Sequence, residues 1–102
     1  GRRVQLLLGR AGVLADMRDI EAARADVEEA HTLALELGDE SGIARSLLVR
    51  GEVERDNGDL AMAIGTLAEA VDHFRALGDE QGAADAIREI GTGISHHFGA
   101  FG

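Results

Sequence analysis

The sequence repeats itself at an interval of 40 residues. The phrase Leu37-Gly38-Asp39-Glu40-Ser41-Gly42 returns as Leu77-Gly78-Asp79-Glu80-Gln81-Gly82. When residues 3–42 are aligned with 43–82 without a gap, 14 of the 40 positions are identical, and a partial third copy follows over 83–102. A near-copy at a long fixed period is typical of a chain that stacks one supersecondary unit, and such arrays build extended binding surfaces.

Apolar residues recur at helical spacing throughout each copy, and no stretch alternates with the period of two that marks a strand. The pattern therefore predicts an all-α fold. We expect five helices, over 3–17, 20–37, 41–56, 60–77 and 80–97.

Glycine and aspartate mark the ends of these helices. We expect Gly38 and Gly78 to close helices in the left-handed conformation, with Asp39 and Asp79 capping the helices that follow. The segment Asn57-Gly58-Asp59 predicts a tight turn that ends in a cap at Asp59.

Two further glycines, Gly12 and Gly65, lie inside predicted helices. A glycine in a helix costs about 1 kcal/mol relative to alanine. We therefore expect a neighbouring helix to approach closely at both positions.

The composition narrows the class of protein. A chain of 102 residues fits one domain, and with 45% apolar but only 3% aromatic residues its core must be aliphatic. Cysteine is absent, which excludes disulfides and thiolate metal sites. No apolar run is long enough for a membrane span, and we expect a cytoplasmic protein.

Charge argues against nucleic acid as a direct partner. The formal net charge is −9, and such a field repels phosphates. All ten basic residues are arginine, which we attribute to the base composition of a GC-rich bacterial genome. Because the sequence begins Gly1-Arg2-Arg3 without an initiator methionine, we expect either a processed product or, as we favour, a fragment of a larger protein.

The small and large positions of each copy resemble those of the tetratricopeptide repeat (TPR). They run large, small, turn, small, large, small, as Leu7, Ala11, Asp19, Ala23, Val27, Ala30 and as Leu47, Gly51, Gly58-Asp59, Ala63, Leu67, Ala70. The usual TPR period is about 34 residues, and here six more lie around residues 38–42. The family's Trp, Tyr and Pro positions are filled by Leu47, Glu54 and Arg75.

A longer period with a Leu-Gly-Asp phrase between units is similar to the branch found in kinesin light chains and in large bacterial regulators. The resemblance implies a right-handed α-solenoid of antiparallel helix pairs, with about two and a half units over 3–42, 43–82 and 83–102. It also implies that the first helix of each unit lines a concave groove. The corresponding groove positions are Gln5, Leu8, Asp16, Arg45, Leu48, Glu52, Arg55, Asp56, Asp85, Arg88, Glu89 and His96.

The groove arginines suggest one kind of ligand. An arginine in a concave surface suits the carboxylate of a peptide, because its guanidinium can bind both oxygens. The alternative is that Arg45, Arg55 and Arg88 pair with carboxylates along and between helices. The carboxylate clamp of chaperone-binding TPR domains needs Lys and Asn in the groove, and their absence excludes that subtype.

No pattern predicts catalysis, a metal or a cofactor. His96 and His97 are adjacent and diverge by about 100° on a helix, so they cannot easily share an ion with each other. The paired carboxylates Glu28-Glu29 are typical of a solvated helical face, and no phosphate-binding loop or nucleophile motif occurs. We therefore expect a protein that is not an enzyme.

The C-terminal segment carries an apolar stripe formed by Ile90, Ile94, Phe98 and Phe101. In a complete unit this stripe would pack against a second helix. Either more protein follows, or a partner covers the stripe, or the phenylalanines fold back onto the second unit.

Three functions follow as hypotheses. The first is a protein- or peptide-binding module in a bacterial regulatory protein. The second is a sensory domain that binds a small effector or signalling peptide in the groove. The third is self-association into a homo-oligomer through the C-terminal helix.

Overall fold

Within the residues that the structure describes, five helices follow one another along the chain, and the last four are joined by connections of two or three residues. The computed structural model describes residues 2–16 and 19–98, and among these the side chains of 2–14 and 19–92. The helices are α1 (Arg2–Asp16), α2 (Ile20–Leu37), α3 (Glu40–Asp56), α4 (Leu60–Ala76) and α5 (Glu80–Phe98). The described residues contain no strand. The all-α prediction is confirmed, and the predicted ends of α2, α3 and α4 and the predicted start of α5, which lie within the described residues, fall within one residue of the observed ends.

The two Leu-Gly-Asp phrases join helices in the predicted way. Gly38 and Gly78 adopt φ values of 65° and 74°, which side chains disfavour. Asp39 Oδ1 accepts a hydrogen bond from the Gly42 backbone N–H at 2.9 Å, and Asp79 Oδ1 accepts one from Gly82 at 2.9 Å. Each phrase thus ends one helix and satisfies a free N–H of the next.

The turn between α3 and α4 uses its aspartate differently. Asp59 occupies the N-cap position of α4, as predicted, but its side chain makes no capping hydrogen bond. Its Oδ2 instead accepts a hydrogen bond of 3.0 Å from Asn57 Nδ2. The carboxylate therefore stabilises the turn rather than the helix end.

Helix α3 is the centre of the packing. It contacts α2 and α4, its neighbours in sequence, and also α1 and α5. Among the described residues, α2 and α4 each pack on α3, and no Cα atom of α2 lies within 8 Å of a Cα atom of α4. The molecule measures 44 × 31 × 18 Å, and small residues with 0% exposure, such as Ala11, Ala30, Ala44 and Ala70, allow the helices to lie close together.

The close approaches predicted at Gly12 and Gly65 do not occur. A Cβ built at either glycine would meet no heavy atom within 4 Å. Close approaches occur instead at Gly42, against Asp39 and Ala34, at Gly51, against Leu67, and at Gly82, where a Cβ would overlap the ring of Phe74. The prediction was wrong because a glycine is needed only where a large side chain of a neighbouring helix lies opposite. Leu67 and Phe74 lie opposite Gly51 and Gly82, and no described side chain lies opposite Gly12 or Gly65.

Two ion pairs tie the first three helices together. Arg10 in α1 donates to both carboxylate oxygens of Asp26 in α2, each at 2.7 Å. The hydrogen bond from Arg10 holds the pKa of Asp26 below its ordinary value. Arg50 in α3 reaches back to Glu28 in α2 at 2.7 Å.

In the part of the chain that the structure describes, no helix is both long and apolar enough to cross a membrane.

Candidate binding groove

A groove of about 460 Å³ runs between α1 and α3. It is lined by Gln5, Leu8, Gly9, Arg45, Leu48 and Val49. Residues three and four apart share a helix face, so each helix presents one patch to the groove. This volume lies in the range of ordinary ligand sites.

The groove combines an apolar floor with a polar rim. Leu8 is buried, and Leu48 and Val49 are half-buried, whereas Gln5 and Arg45 are exposed. The structure therefore brings together four of the positions that the family resemblance implied: Gln5, Leu8, Arg45 and Leu48. Gly9 and Val49 also line the groove, and the sequence patterns did not single them out.

Gly9 leaves space in the groove wall. A Cβ added at this position would meet no heavy atom within 4 Å. A larger residue here would project into open space without disturbing the packing of α1. Gly9 is thus a position at which the groove can be blocked by substitution.

Arg45 is the cation that lines the groove. It is exposed, and it makes no hydrogen bond or ion pair with another residue in the described part of the chain. Its guanidinium can therefore bind an incoming carboxylate without first breaking an internal pair.

Arg55 is engaged within the protein. Its Nη1 donates to Glu89 Oε2 in α5, and its Nη2 lies 3.5 Å from Asp56 Oδ1. Burial alone would lower the Arg55 pKa, but Glu89 and the nearby carboxylates raise it above its ordinary value. Arg55, Asp56 and Glu89 thus form an ionic tie between α3 and α5, as the alternative interpretation of these arginines supposed.

Arg88 is also paired, although loosely. Its Nη1 lies 3.1 Å from Asp85 Oδ1 on the same helix, and Gln81 Nε2 donates to the same oxygen at 3.0 Å. The Arg88 side chain is 65% exposed, so water screens this pair strongly.

Glu52 is half-buried on the groove side of α3, one turn after Leu48.

The remaining predicted positions fall partly outside the described side chains. Ile90 is half-buried. The side chains of Asp16, Ile94, His96 and Phe98, and the whole of Phe101, lie outside the described residues.

A histidine–serine pair connects α2 and α3 on the other side of the fold. Ser46 is fully buried and its Oγ donates to the Ile43 carbonyl at 2.8 Å, so it accepts from His31 Nδ1, also at 2.8 Å. Burial, with the charge of Arg50, lowers the His31 pKa. Because His31 donates through Nδ1 and Ser46 is inaccessible, this pair joins helices and cannot activate a nucleophile.

The described side chains contain no group of three His, Cys, Asp or Glu residues placed to hold a metal ion. In comparisons with known proteins, no family model, no curated protein and no solved structure matches the chain. The resemblance to the TPR therefore depends on the repeated residues themselves.

Proposed function

We propose that the chain is a non-enzymatic module that binds a protein or peptide in the groove between α1 and α3, within a bacterial regulatory protein. The architecture proposed with it is a right-handed solenoid of antiparallel helix pairs, in two and a half TPR-like units. The contacts of α3 with both α1 and α5 support this arrangement, because stacked units place their first helices side by side.

One observation carries the proposal. The groove has an apolar floor at Leu8 and Leu48 and an exposed arginine, Arg45, that pairs with none of the described residues. Such a site suits a peptide with an apolar side chain and a carboxylate, the first to fill the floor and the second to bind Arg45.

The experiment begins with a display library of peptides that have free C-termini, which are selected for binding to the intact chain. Selected peptides are then synthesised as carboxylates and as amides, and their dissociation constants are measured by fluorescence anisotropy. A hydrogen bond to a charged group contributes about 1.5–3 kcal/mol, so Arg45→Ala should weaken binding roughly 10-fold to 100-fold. Arg88→Ala, which removes an arginine outside this groove, is the matched control.

A second pair of variants tests the location. Gly9→Leu should fill the groove and abolish binding, whereas Gly65→Leu, at an exposed glycine of α4 whose Cβ would also meet open space, should not. Circular dichroism checks that both variants remain helical. Failure of the selection, or equal binding by Gly9→Leu and the parent chain, would refute the proposal. If free carboxylic acids bind as tightly as the peptides, the groove takes a small effector instead.

A further inference from the structure

A second cavity lies on another face of α3. Helices α2 and α4 both pack on α3, and a gap remains where their backbones are further apart. The gap holds a cavity of about 210 Å³, lined by Arg24, Val27, Glu28, Arg50, Val53, Glu54, Asp59 and Met62. Helix α3 contributes Leu48 and Val49 to the groove but Arg50, Val53 and Glu54 to this cavity, so the two sites face different ways.

The cavity has an apolar body. Val27 and Val53 are 1% and 2% exposed and form its inner wall, whereas Met62 is 60% exposed and stands at its edge. Methionine is flexible and adapts to different neighbours, so Met62 can admit a ligand and then cover it. An aliphatic chain is the kind of group that this wall would accept.

Two buried polar atoms of the lining residues make no hydrogen bond within the part of the chain that the structure describes. Glu54 is only 8% exposed, and its Oε1 has no hydrogen-bond partner among the described residues. Arg50 Nε is in the same situation, although another nitrogen of its guanidinium pairs with Glu28 at 2.7 Å. A buried carboxylate oxygen without a donor is unfavourable, and it marks a place where a donor would be stabilised.

The net charge of the lining residues indicates which charge a matching ligand carries. Arg50 and Glu28 neutralise each other. Of the other three charged residues, Glu54 and Asp59 are acidic and Arg24 is basic, which leaves an excess of one negative charge. The cavity is therefore matched by a ligand that carries one positive charge.

The volume limits the size of that ligand. Sites for drug-sized ligands have volumes of about 300–1,000 Å³, so a cavity of about 210 Å³ suits only a smaller ligand. We propose that this cavity binds a primary ammonium group on a short aliphatic chain, with the ammonium donating to Glu54 and the chain lying on Val27 and Val53. The terminal torsion of glutamate has a broad range, so the carboxylate can turn its unpartnered oxygen towards the ligand.

Such a group can come from a small amine or from the lysine side chain of a partner. The probe for the first is n-pentylamine, and the probe for the second is Nα-acetyl-lysine N-methylamide. Binding is followed in ¹³C-methyl NMR spectra of the intact chain. Both probes should be compared with 1-pentanol and pentanoate, which have similar shapes but lack the ammonium.

We expect pentylamine to shift the methyl resonances of Val27, Val53 and Met62, and pentanoate to leave them unchanged. Glu54→Gln should weaken this binding at least tenfold, and Arg24→Gln should strengthen it by removing a like charge. Tighter binding of the lysine derivative assigns the site to a partner's side chain, and tighter binding of pentylamine assigns it to a free amine. Arg45→Ala, in the other groove, should have no effect.

Met62→Trp tests the site without replacing a buried residue. It should fill the edge of the cavity and remove binding while the chain stays folded, because Met62 is largely exposed. The proposal is overturned if pentylamine causes no shifts, if 1-pentanol binds equally well, or if Glu54→Gln binds pentylamine as tightly as the parent chain.

Discussion

Gly51 in α3 lies against Leu67 in α4 so closely that a Cβ at Gly51 would stand 2.5 Å from Leu67 Cδ2. The equivalent positions of the first unit hold Ala11 and Val27, which belong to one buried cluster. The second unit thus has the smaller residue of the two at the first position, Gly51 instead of Ala11, and the larger at the second, Leu67 instead of Val27. The repeat conserves the combined volume of the pair rather than either residue.

We predict that Gly51→Ala destabilises the chain by about 1–2 kcal/mol, because overpacking costs about 1–3 kcal/mol and the higher helix propensity of alanine offsets up to about 1 kcal/mol of that cost. Leu67→Val alone should cost about 1 kcal/mol through lost contacts. The double variant recreates the pair found in the first unit, so its loss should be smaller than the sum of the single losses by at least about 0.5 kcal/mol. Urea denaturation of all four proteins measures this coupling, and strict additivity would contradict the prediction.

Gly65→Ala should act in the opposite direction. This glycine is exposed within α4, and an added Cβ would meet nothing within 4 Å. Alanine therefore gains helix propensity without a clash, and the free energy of unfolding should rise by about 0.4–1 kcal/mol. The midpoint of urea unfolding gives the result, and a lower midpoint would show that a helix does approach Gly65.

The aspartates before α4 and α5 should differ in their contributions. Asp79 makes a capping hydrogen bond of 2.9 Å to the Gly82 N–H, whereas Asp59 makes none. Asp79→Ala should cost about 1 kcal/mol. Asp59→Ala should cost distinctly less, since it removes only the contact with Asn57. Thermal denaturation of the two variants compares them directly, and equal losses would be inconsistent with the observed turn.

Stability should depend on pH through His31. Burial lowers its pKa in the folded state, so the unfolded chain, with an ordinary value of about 6.5, binds the proton more strongly. The free energy of unfolding should therefore stay constant above about pH 6.5, and it should fall as the pH drops through 6.5 towards the folded pKa of His31. Arg50 acts in the same direction as burial, and Glu28 opposes it.

The measurement is the urea midpoint at intervals between pH 7.5 and 5.5. His31→Asn keeps a nitrogen that can donate to Ser46 but does not titrate, and it should flatten this dependence. His73→Gln is the control and should retain most of it. A slope unchanged by His31→Asn would assign the dependence to another group.

Much of the fold was accessible from the sequence because its signals are local. The helical period and the Gly38-Asp39 and Gly78-Asp79 pairs set helix ends to within a residue. Contacts between helices were less accessible: the partner of Gly51 is 16 residues away, and His31 meets Ser46 across 15 residues. Nothing in the local pattern indicates which side chain will lie opposite.

The candidate site was likewise predictable from the sequence only in part. The resemblance to the TPR placed Gln5, Arg45 and Leu48 on a common groove, and the structure brings these three together. It could not tell that Arg55 is engaged by Glu89, since that depends on the spacing of α3 and α5. The cavity at Glu54 was not foreseen, because an acidic residue in an acidic chain gives no sign that it is buried.

Arg10 and Arg50 occupy the same position in successive units yet reach in opposite directions along the chain, Arg10 forward to Asp26 and Arg50 back to Glu28. One repeat further on, the positions of Arg50 and Glu28 are filled by Ile90 and Ala68, so both members of the ion pair have been replaced by apolar residues. Each junction thus carries its own chemistry. Units exchanged or duplicated by gene fusion would set a charge against an apolar partner, so the order of the units is itself encoded in the side chains that join them.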